Sequence, residues 1–299
     1  MSRRLRLGAR GSALSLSQVD LAVRRLTRHG IATELTIFSS TGDRDRESPI
    51  AELASDAPFV DDVEAGLRDG SIDVAIHSLK DMAIEPPEDL AIGAVLRRGS
   101  ITESLVSTDG STLRNLRTGA VIGTSSERRR LQIRHLRPDL VCKPIRGPVD
   151  HRLVQVREGA FDAVVFATAG LERLHLDHEI VETFTPRFFA PAPGQGAIAL
   201  QVRADDVAAR SALAAIDDFS TRLATDAERS VERRLDALGH LVAAWAEVEH
   251  AGVTLHVRVW AHGEGDPIDV SSAGVNPDHV AREASERALD AIADGVAAR

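Results

Sequence analysis

The sequence predicts an α/β protein with two lobes, a cleft between them and a small C-terminal α+β domain. Short apolar, β-branched runs alternate with segments of helical periodicity as far as residue 202. Polar residues follow several of these runs directly, and the pattern changes after Ser220. The length of 299 residues fits two or three domains of roughly 100 to 150 residues each.

The first lobe is predicted to consist of βαβ repeats around a parallel sheet. Residues 11–26 have the 3.6-residue apolar spacing of a helix, and residues 72–76 form an apolar run typical of a strand covered on both faces. In chain order, the predicted elements are strand 5–9, helix 11–26, strand 34–39, helix 61–69, strand 72–76 and strand 91–96.

A second α/β unit follows residues 97–100, which are predicted to cross between the lobes. Two such lobes with crossing segments form the hinge-closing architecture of periplasmic binding proteins. The predicted elements of the second unit are strand 120–123, helix 124–132, strand 163–167 and loop 191–196. Strand 197–202 returns to the first lobe. Helix 224–238, strand 253–260 and helix 278–298 form the C-terminal part. The predicted domains are residues 1–98 with 197–217, residues 99–196, and residues 218–299.

Composition excludes several classes of function. A net charge of -9 and a pI near 5.7 argue against a nucleic-acid partner, which requires a basic face. No apolar run approaches the roughly 18 residues of a membrane span, and no signal-peptide segment follows Met1, so we expect cytoplasmic residence. The single cysteine, Cys142, excludes an internal disulfide, and His175 with His178 lacks a third metal ligand, so no metal site is predicted.

A burst of polar residues ends the buried run at 72–76. His77, Ser78, Lys80 and Asp81 lie where open α/β sheets place their ligands. Lys80 can pair with a ligand carboxylate, and Asp81 can assist an amine leaving group by proton transfer. The alternative is a solvated Lys-Asp pair at the end of a strand.

Arginines and hydroxyl groups also lie beside predicted strand ends in both lobes. Residues 124–132 combine a helix N-terminus with hydroxyl groups and three arginines, a pattern that favours carboxylates or phosphates. Any one arginine could belong to a solvated face in this arginine-rich chain. The candidate anion-binding residues are Arg10, Ser12, Lys80, Thr124, Ser126, Arg128, Arg129, Arg146, Arg152 and Arg173.

With these motifs the chain resembles the porphobilinogen deaminase family, also called hydroxymethylbilane synthases, over nearly its whole length. The motifs are LGARGSAL (7–14), TGD (41–43), HSLKD (77–81), GTSSERR (123–129), IRG (145–147) with Arg152, AGLER (169–173) and GQGA (194–197). The resemblance implies a three-domain transferase of tetrapyrrole biosynthesis, with its active site between domains one and two. The family joins four porphobilinogen units head to tail, with loss of ammonia, into a linear hydroxymethylbilane.

The resemblance also implies residue roles. Asp81 would be the catalytic acid/base, and the ten candidate anion-binding residues would hold the acetate and propionate groups of substrate and growing chain. The expected partner is thus a small pyrrole polycarboxylate, with no nucleic acid or membrane, and the protein is expected to be a monomer.

The chain departs from the family pattern at three places. Family members carry a dipyrromethane primer, bound through a thioether to a cysteine, in a loop that corresponds here to residues 235–242 and has no cysteine. Asp56 and Asp61 replace expected positive charge, and Pro148 and His151 replace the usual Asn and Thr. We therefore expect no covalent cofactor. Three alternatives stay open: a noncovalent pyrrole primer, a shorter or variant product, and a non-catalytic paralogue that binds porphobilinogen or a bilane. An unrelated two-lobed anion-binding protein is a weaker alternative.

Overall fold

A computed structural model of the chain describes residues 4–40, 58–85, 87–250 and 252–297. Asp56 and the TGD motif lie outside these residues. The described part is a mixed α/β structure with two five-stranded sheets and one three-stranded sheet. It contains no helix that is long and apolar enough to span a membrane.

The first lobe contains a mixed sheet with the strand order β2-β1-β3-β10-β4. Its elements are β1 (Leu5–Arg10), α1 (Ala13–Arg28), β2 (Thr33–Phe38), α2 (Asp61–Arg68), β3 (Val74–Ser78), β4 (Leu90–Val95), β10 (Ile198–Arg203) and α6 (Val207–Leu213). Strand β1 runs parallel to β2 and β3, whereas β10 runs antiparallel to β3 and β4. The prediction of a parallel sheet is confirmed for β1, β2 and β3. It is wrong for β10, which enters from the cleft edge at which β3 and β4 end.

The second lobe contains a sheet with the strand order β7-β6-β8-β5-β9. Its elements are β5 (Glu103–Ser107), β6 (Val121–Gly123), α3 (Glu127–Leu136), β7 (Val141–Lys143), α4 (Val149–Arg157), β8 (Ala163–Ala167), α5 (Thr168–Arg173) and β9 (Glu182–Phe184). Strand β5, which the sequence analysis missed, is buried between β8 and β9 and runs antiparallel to both. Its first residue, Glu103, pairs with Ala167 at the cleft end of β8.

The C-terminal part is an antiparallel sheet covered by two helices. Its elements are α7 (Phe219–Asp236), β11 (Leu241–Glu249), β12 (Gly252–Trp260), β13 (Ile268–Gly274) and α8 (Pro277–Ala297). Small side chains such as Ala227, Ala244 and Ala284 are fully buried between helices and sheet, which lets the layers approach closely. Trp245 and Trp260 pack outside this core, in a cluster with Leu131 and Ala190 of the second lobe. The residue bounds of the three domains stay a prediction.

One buried carboxylate ties the lobe crossings to the C-terminal part. Glu228 of α7 accepts two hydrogen bonds from Arg98, at 2.6 and 2.8 Å, in the first crossing. It also accepts from the backbone N–H of Gly194 (2.7 Å) and from that of Ala246 in β11 (2.8 Å). Gly194 lies in the second crossing, the loop 191–196 that leads back to β10 of the first lobe. The four donors satisfy a carboxylate that has no exposed surface.

Candidate active site

Asp81 lies on a tightly held turn at the end of β3. Residues Leu79–Asp81 form a single 3₁₀ turn, and the Leu79 side chain is buried. Arg229 of α7 donates hydrogen bonds to the backbone carbonyls of Leu79 (3.4 Å), Ala83 and Ile84 (3.4 Å). The C-terminal part therefore fixes the backbone that carries Asp81.

Asp81 lines a narrow part of the cleft, with a volume of about 50 Å³, together with Arg10, Ser12 and Phe59. The Arg10 guanidinium carbon lies 4.5 Å from the centre of the Phe59 ring, and that of Arg146, from the second lobe, lies 5.9 Å from it. The two lobes therefore meet at Phe59. This pocket is smaller than the several hundred Å³ of a typical ligand site.

Three of the predicted hydroxyl groups hold the local backbone. Ser12 is the N-cap of α1 and accepts from the Ser15 N–H at 3.3 Å, while Ser126 is the N-cap of α3 and accepts from the Arg129 N–H at 3.4 Å. The Thr124 hydroxyl oxygen accepts from the Ser126 N–H at 3.2 Å. These caps orient two helix N-termini, the ends of a helix that favour anions.

Arg128 and Arg129 share Glu103, which the sequence analysis did not identify. Arg129 donates to its carboxylate at 2.7 and 3.1 Å, and Arg128 donates to the same carboxylate. Burial alone would raise the pKa of Glu103, but Arg129 and Arg128 outweigh it and lower the pKa to about 2. The sequence offered only a weak signal, an acidic residue at the start of the short segment Glu-Ser-Leu-Val-Ser (103–107).

The remaining cations contact the loops at the cleft. Lys80 Nζ donates to Gln195 Oε1 (3.0 Å), Arg152 Nε donates to the Gly147 carbonyl (2.7 Å), and Arg173 Nη2 donates to the Gly196 carbonyl (2.6 Å). The structure thus ties Arg173 to the second crossing.

Burial and neighbouring cations lower the pKa values of two of these groups. Burial, and then the charge of Arg129, lowers the pKa of Lys80 to about 8. The same two causes lower the pKa of Arg152 to about 10, whereas Asp81 opposes the shift. Burial lowers the pKa of His77 to about 4, so this residue is neutral at pH 7 and adds no positive charge. The cleft therefore concentrates positive charge around Asp81.

The loop that carries the family's cofactor cysteine forms a closed turn here. Helix α7 ends at Asp236, and Gly239 has a φ of +77°. His240 is buried, and its Nδ1 accepts from the backbone N–H of His262 at 3.2 Å. Cys142 lies in β7 of the second lobe, where burial raises the pKa of its thiol. Neither side chain is placed as an exposed nucleophile at this turn.

The structure therefore has two α/β lobes, with arginines and a lysine around one carboxylate where the lobes meet. Comparison with known proteins identifies the family of the chain. The family model "Porphobilinogen deaminase, dipyromethane cofactor binding domain" matches residues 5–211. The chain belongs to the porphobilinogen deaminase family.

Named relatives agree with this assignment. The porphobilinogen deaminase of Acidothermus cellulolyticus is 42% identical over 231 residues, covering 76% of this chain and 70% of the relative. That of Syntrophobacter fumaroxidans is 39% identical over 237 residues, covering 78% and 76%. Among solved structures, a YaeC family lipoprotein from Enterococcus faecalis matches with a TM-score of 0.44 and 12% identity, over 74% of this chain and 93% of the other. An ancestral arginine-binding protein matches with a TM-score of 0.39 and 16% identity, over 72% and 92%.

Proposed function

We propose that this protein is a transferase that couples porphobilinogen units with loss of ammonia, and that it does so without a thioether-linked dipyrromethane. The observation that carries the proposal is Asp81, a carboxylate on a fixed turn that lines a first-lobe pocket, with cations of both lobes beside it. The product is a linear hydroxymethylbilane or a shorter pyrrole chain. The role of Asp81 is part of this proposal, and so are the roles of the ten candidate anion-binding residues, of which Arg128 and Arg129 already share the internal carboxylate of Glu103.

The chemistry requires a group that tolerates developing positive charge. The aminomethyl group of porphobilinogen reacts in its protonated, ammonium form. As its carbon–nitrogen bond breaks, ammonia leaves with the bonding electron pair, and the pyrrole nitrogen donates electrons to give a cationic azafulvene-like species. The free α-carbon of a second pyrrole attacks this cation, and transfer of the α-proton to the Asp81 carboxylate restores the aromatic ring. The Asp81 carboxylate stabilises the cation and accepts a hydrogen bond from the pyrrole N–H, while the cations hold the ligand carboxylates.

The residues around 235–242 do not fit a covalent primer. The sequence has one cysteine, and it lies in β7 rather than in the turn between α7 and β11. His240, the polar side chain nearest the expected attachment point, uses Nδ1 as an acceptor within the turn. These contacts support a pyrrole primer that binds without a covalent bond.

Asp81→Asn tests the catalytic proposal. The amide keeps the shape of the side chain but removes its charge, so ammonia release should fall roughly 100-fold to 10,000-fold, with a much smaller change in affinity. Asp89→Asn is the matched control, because Asp89 pairs with the partly exposed Arg68 outside the cleft. Normal turnover by Asp81→Asn would end the assignment of Asp81.

Intact mass of purified protein tests the primer proposal. The mass should equal that of the polypeptide, before and after incubation with porphobilinogen. A pyrrole adduct mapped to Cys142 or His240 would contradict it.

The second candidate function is a non-catalytic binder of porphobilinogen or a bilane, and the missing thiol at 235–242 favours it. A wild-type protein that binds porphobilinogen in calorimetry but releases no ammonia would establish this alternative.

A further inference from the structure

Three buried charged groups form one cluster at the cleft edge of the second sheet. The side chains of Glu103, Arg128 and Arg129 are 0%, 7% and 9% exposed. Two cations and one anion give the cluster a net charge of one positive unit. Arg128 also donates to the Ala190 carbonyl, and Arg129 to the Val165 carbonyl at 2.8 Å, so the backbone holds both guanidinium groups in place.

The position of Glu103 follows from the strand register. Glu103 begins β5, directly after the first crossing, and pairs with Ala167 at the end of β8. Helix α3, which carries both arginines, also begins at this edge. Glu103 therefore contacts the arginines from within the second lobe, whereas a ligand would approach from the cleft.

The charge of this cluster extends to the cleft. Arg129 acts electrostatically on both Lys80 and Arg152, and Glu103 acts on Lys80 with the opposite sign. Removing the Glu103 charge would leave two positive units in the cluster instead of one. The positive charge that this cluster adds beside Lys80 therefore depends on Glu103.

We propose that Glu103 is a specificity-determining residue: an internal carboxylate that occupies Arg128 and Arg129 and so limits binding of ligands with many carboxylates. The inference rests on the proposed function for its ligands, porphobilinogen and linear bilanes. A linear tetrapyrrole carries several times more carboxylates than porphobilinogen, so Glu103 disfavours it more. In this way Glu103 biases the protein towards short pyrrole chains.

Glu103→Gln tests the inference by calorimetry with porphobilinogen and with a stable linear bilane. We expect the variant to bind the bilane about tenfold more tightly, the change that one charge roughly 10 Å away produces at an effective dielectric constant of about 20. The gain for porphobilinogen should be smaller, and salt should weaken bilane binding more steeply than in the wild type.

Two further variants keep the result interpretable. Asp162→Asn removes another carboxylate of the second lobe. Asp162 directly precedes β8, at the end opposite Ala167, and accepts from Arg117 and from the Val121 N–H. Its substitution should therefore leave bilane affinity unchanged. Glu103→Asp retains the charge but is one methylene shorter and cannot reach both arginines. It should raise bilane affinity less than Glu103→Gln, and it gives a result even if Glu103→Gln fails to fold.

Bilane affinity that rises in neither Glu103 variant would overturn the inference, and so would an equal rise in Asp162→Asn. Both outcomes leave the proposed function intact if the wild type still releases ammonia from porphobilinogen. A wild type that binds neither porphobilinogen nor the bilane would instead overturn the proposed function, and this inference with it.

Discussion

Glu228→Gln should destabilise the whole protein, because Glu228 joins both lobe crossings to the C-terminal part. Oε1 accepts from Arg98 and Ala246, and Oε2 accepts from Arg98 and Gly194. In glutamine one of these oxygens becomes an NH₂ group that faces two donors, so two charge-assisted hydrogen bonds are lost whichever way the amide is oriented. At about 1.5 to 3 kcal/mol each, the expected loss is about 3 to 6 kcal/mol, close to the cost of breaking a buried ion pair.

Urea unfolding measures this loss, since a lower midpoint with an unchanged slope reports lower stability. Asp269→Asn is the control, because Asp269 makes a comparable bidentate pair with Arg258 but is 61% exposed. Exposed pairs contribute roughly 0 to 1 kcal/mol. A loss in Glu228→Gln no larger than in the control would show that the carboxylate does not connect the three parts energetically.

Two further predictions concern the cleft edge and the crossing. Lys80 loses its proton as the pH rises through about 8. Wild-type affinity for porphobilinogen should therefore fall several-fold between pH 7 and pH 9, whereas the affinity of Lys80→Arg should stay nearly constant. Calorimetric pH profiles that run parallel for the two proteins would refute this prediction. Gly196 has a φ of +81°, and an added Cβ would lie 2.5 Å from the Ser100 carbonyl oxygen. Gly196→Ala should therefore lower the free energy of unfolding by more than the roughly 1 to 2 kcal/mol that an alanine in the left-handed conformation costs. Gly30→Ala, with a φ of +71° and no atom within 4 Å of the new Cβ, measures that conformational cost alone, and equal melting temperatures for the two variants would exclude the steric contribution.

The sequence predicted the elements whose signal is local. The helix at residues 11–26 and the strand at 163–167 have clear periodicity or apolar runs, and the structure confirms them as Ala13–Arg28 and Ala163–Ala167. Asp81 stood out because it directly follows a buried strand. Such features depend on a few neighbouring residues.

Contacts between distant segments could not be predicted in this way. Glu103 lies 25 residues before Arg128, and only the pairing of β5 with β8 brings Glu103 to the cleft edge. The direction of β10 was also beyond local patterns, because it depends on where the second crossing returns. The arginines were recognisable as cations, but their occupation by an internal carboxylate was not.

The place of β10 between β3 and β4 affects how the chain folds during synthesis. The second sheet is built from one continuous stretch, from Glu103 to Phe184, whereas the first sheet needs Ile198–Arg203 to join β3 to β4. While the ribosome adds the residues between β4 and β10, at roughly 5 to 20 residues per second, the facing edges of β3 and β4 stay unpaired for several seconds. The lobe whose translation begins first is therefore completed after the second lobe, and until then its unpaired strand edges are open to aggregation or chaperone binding.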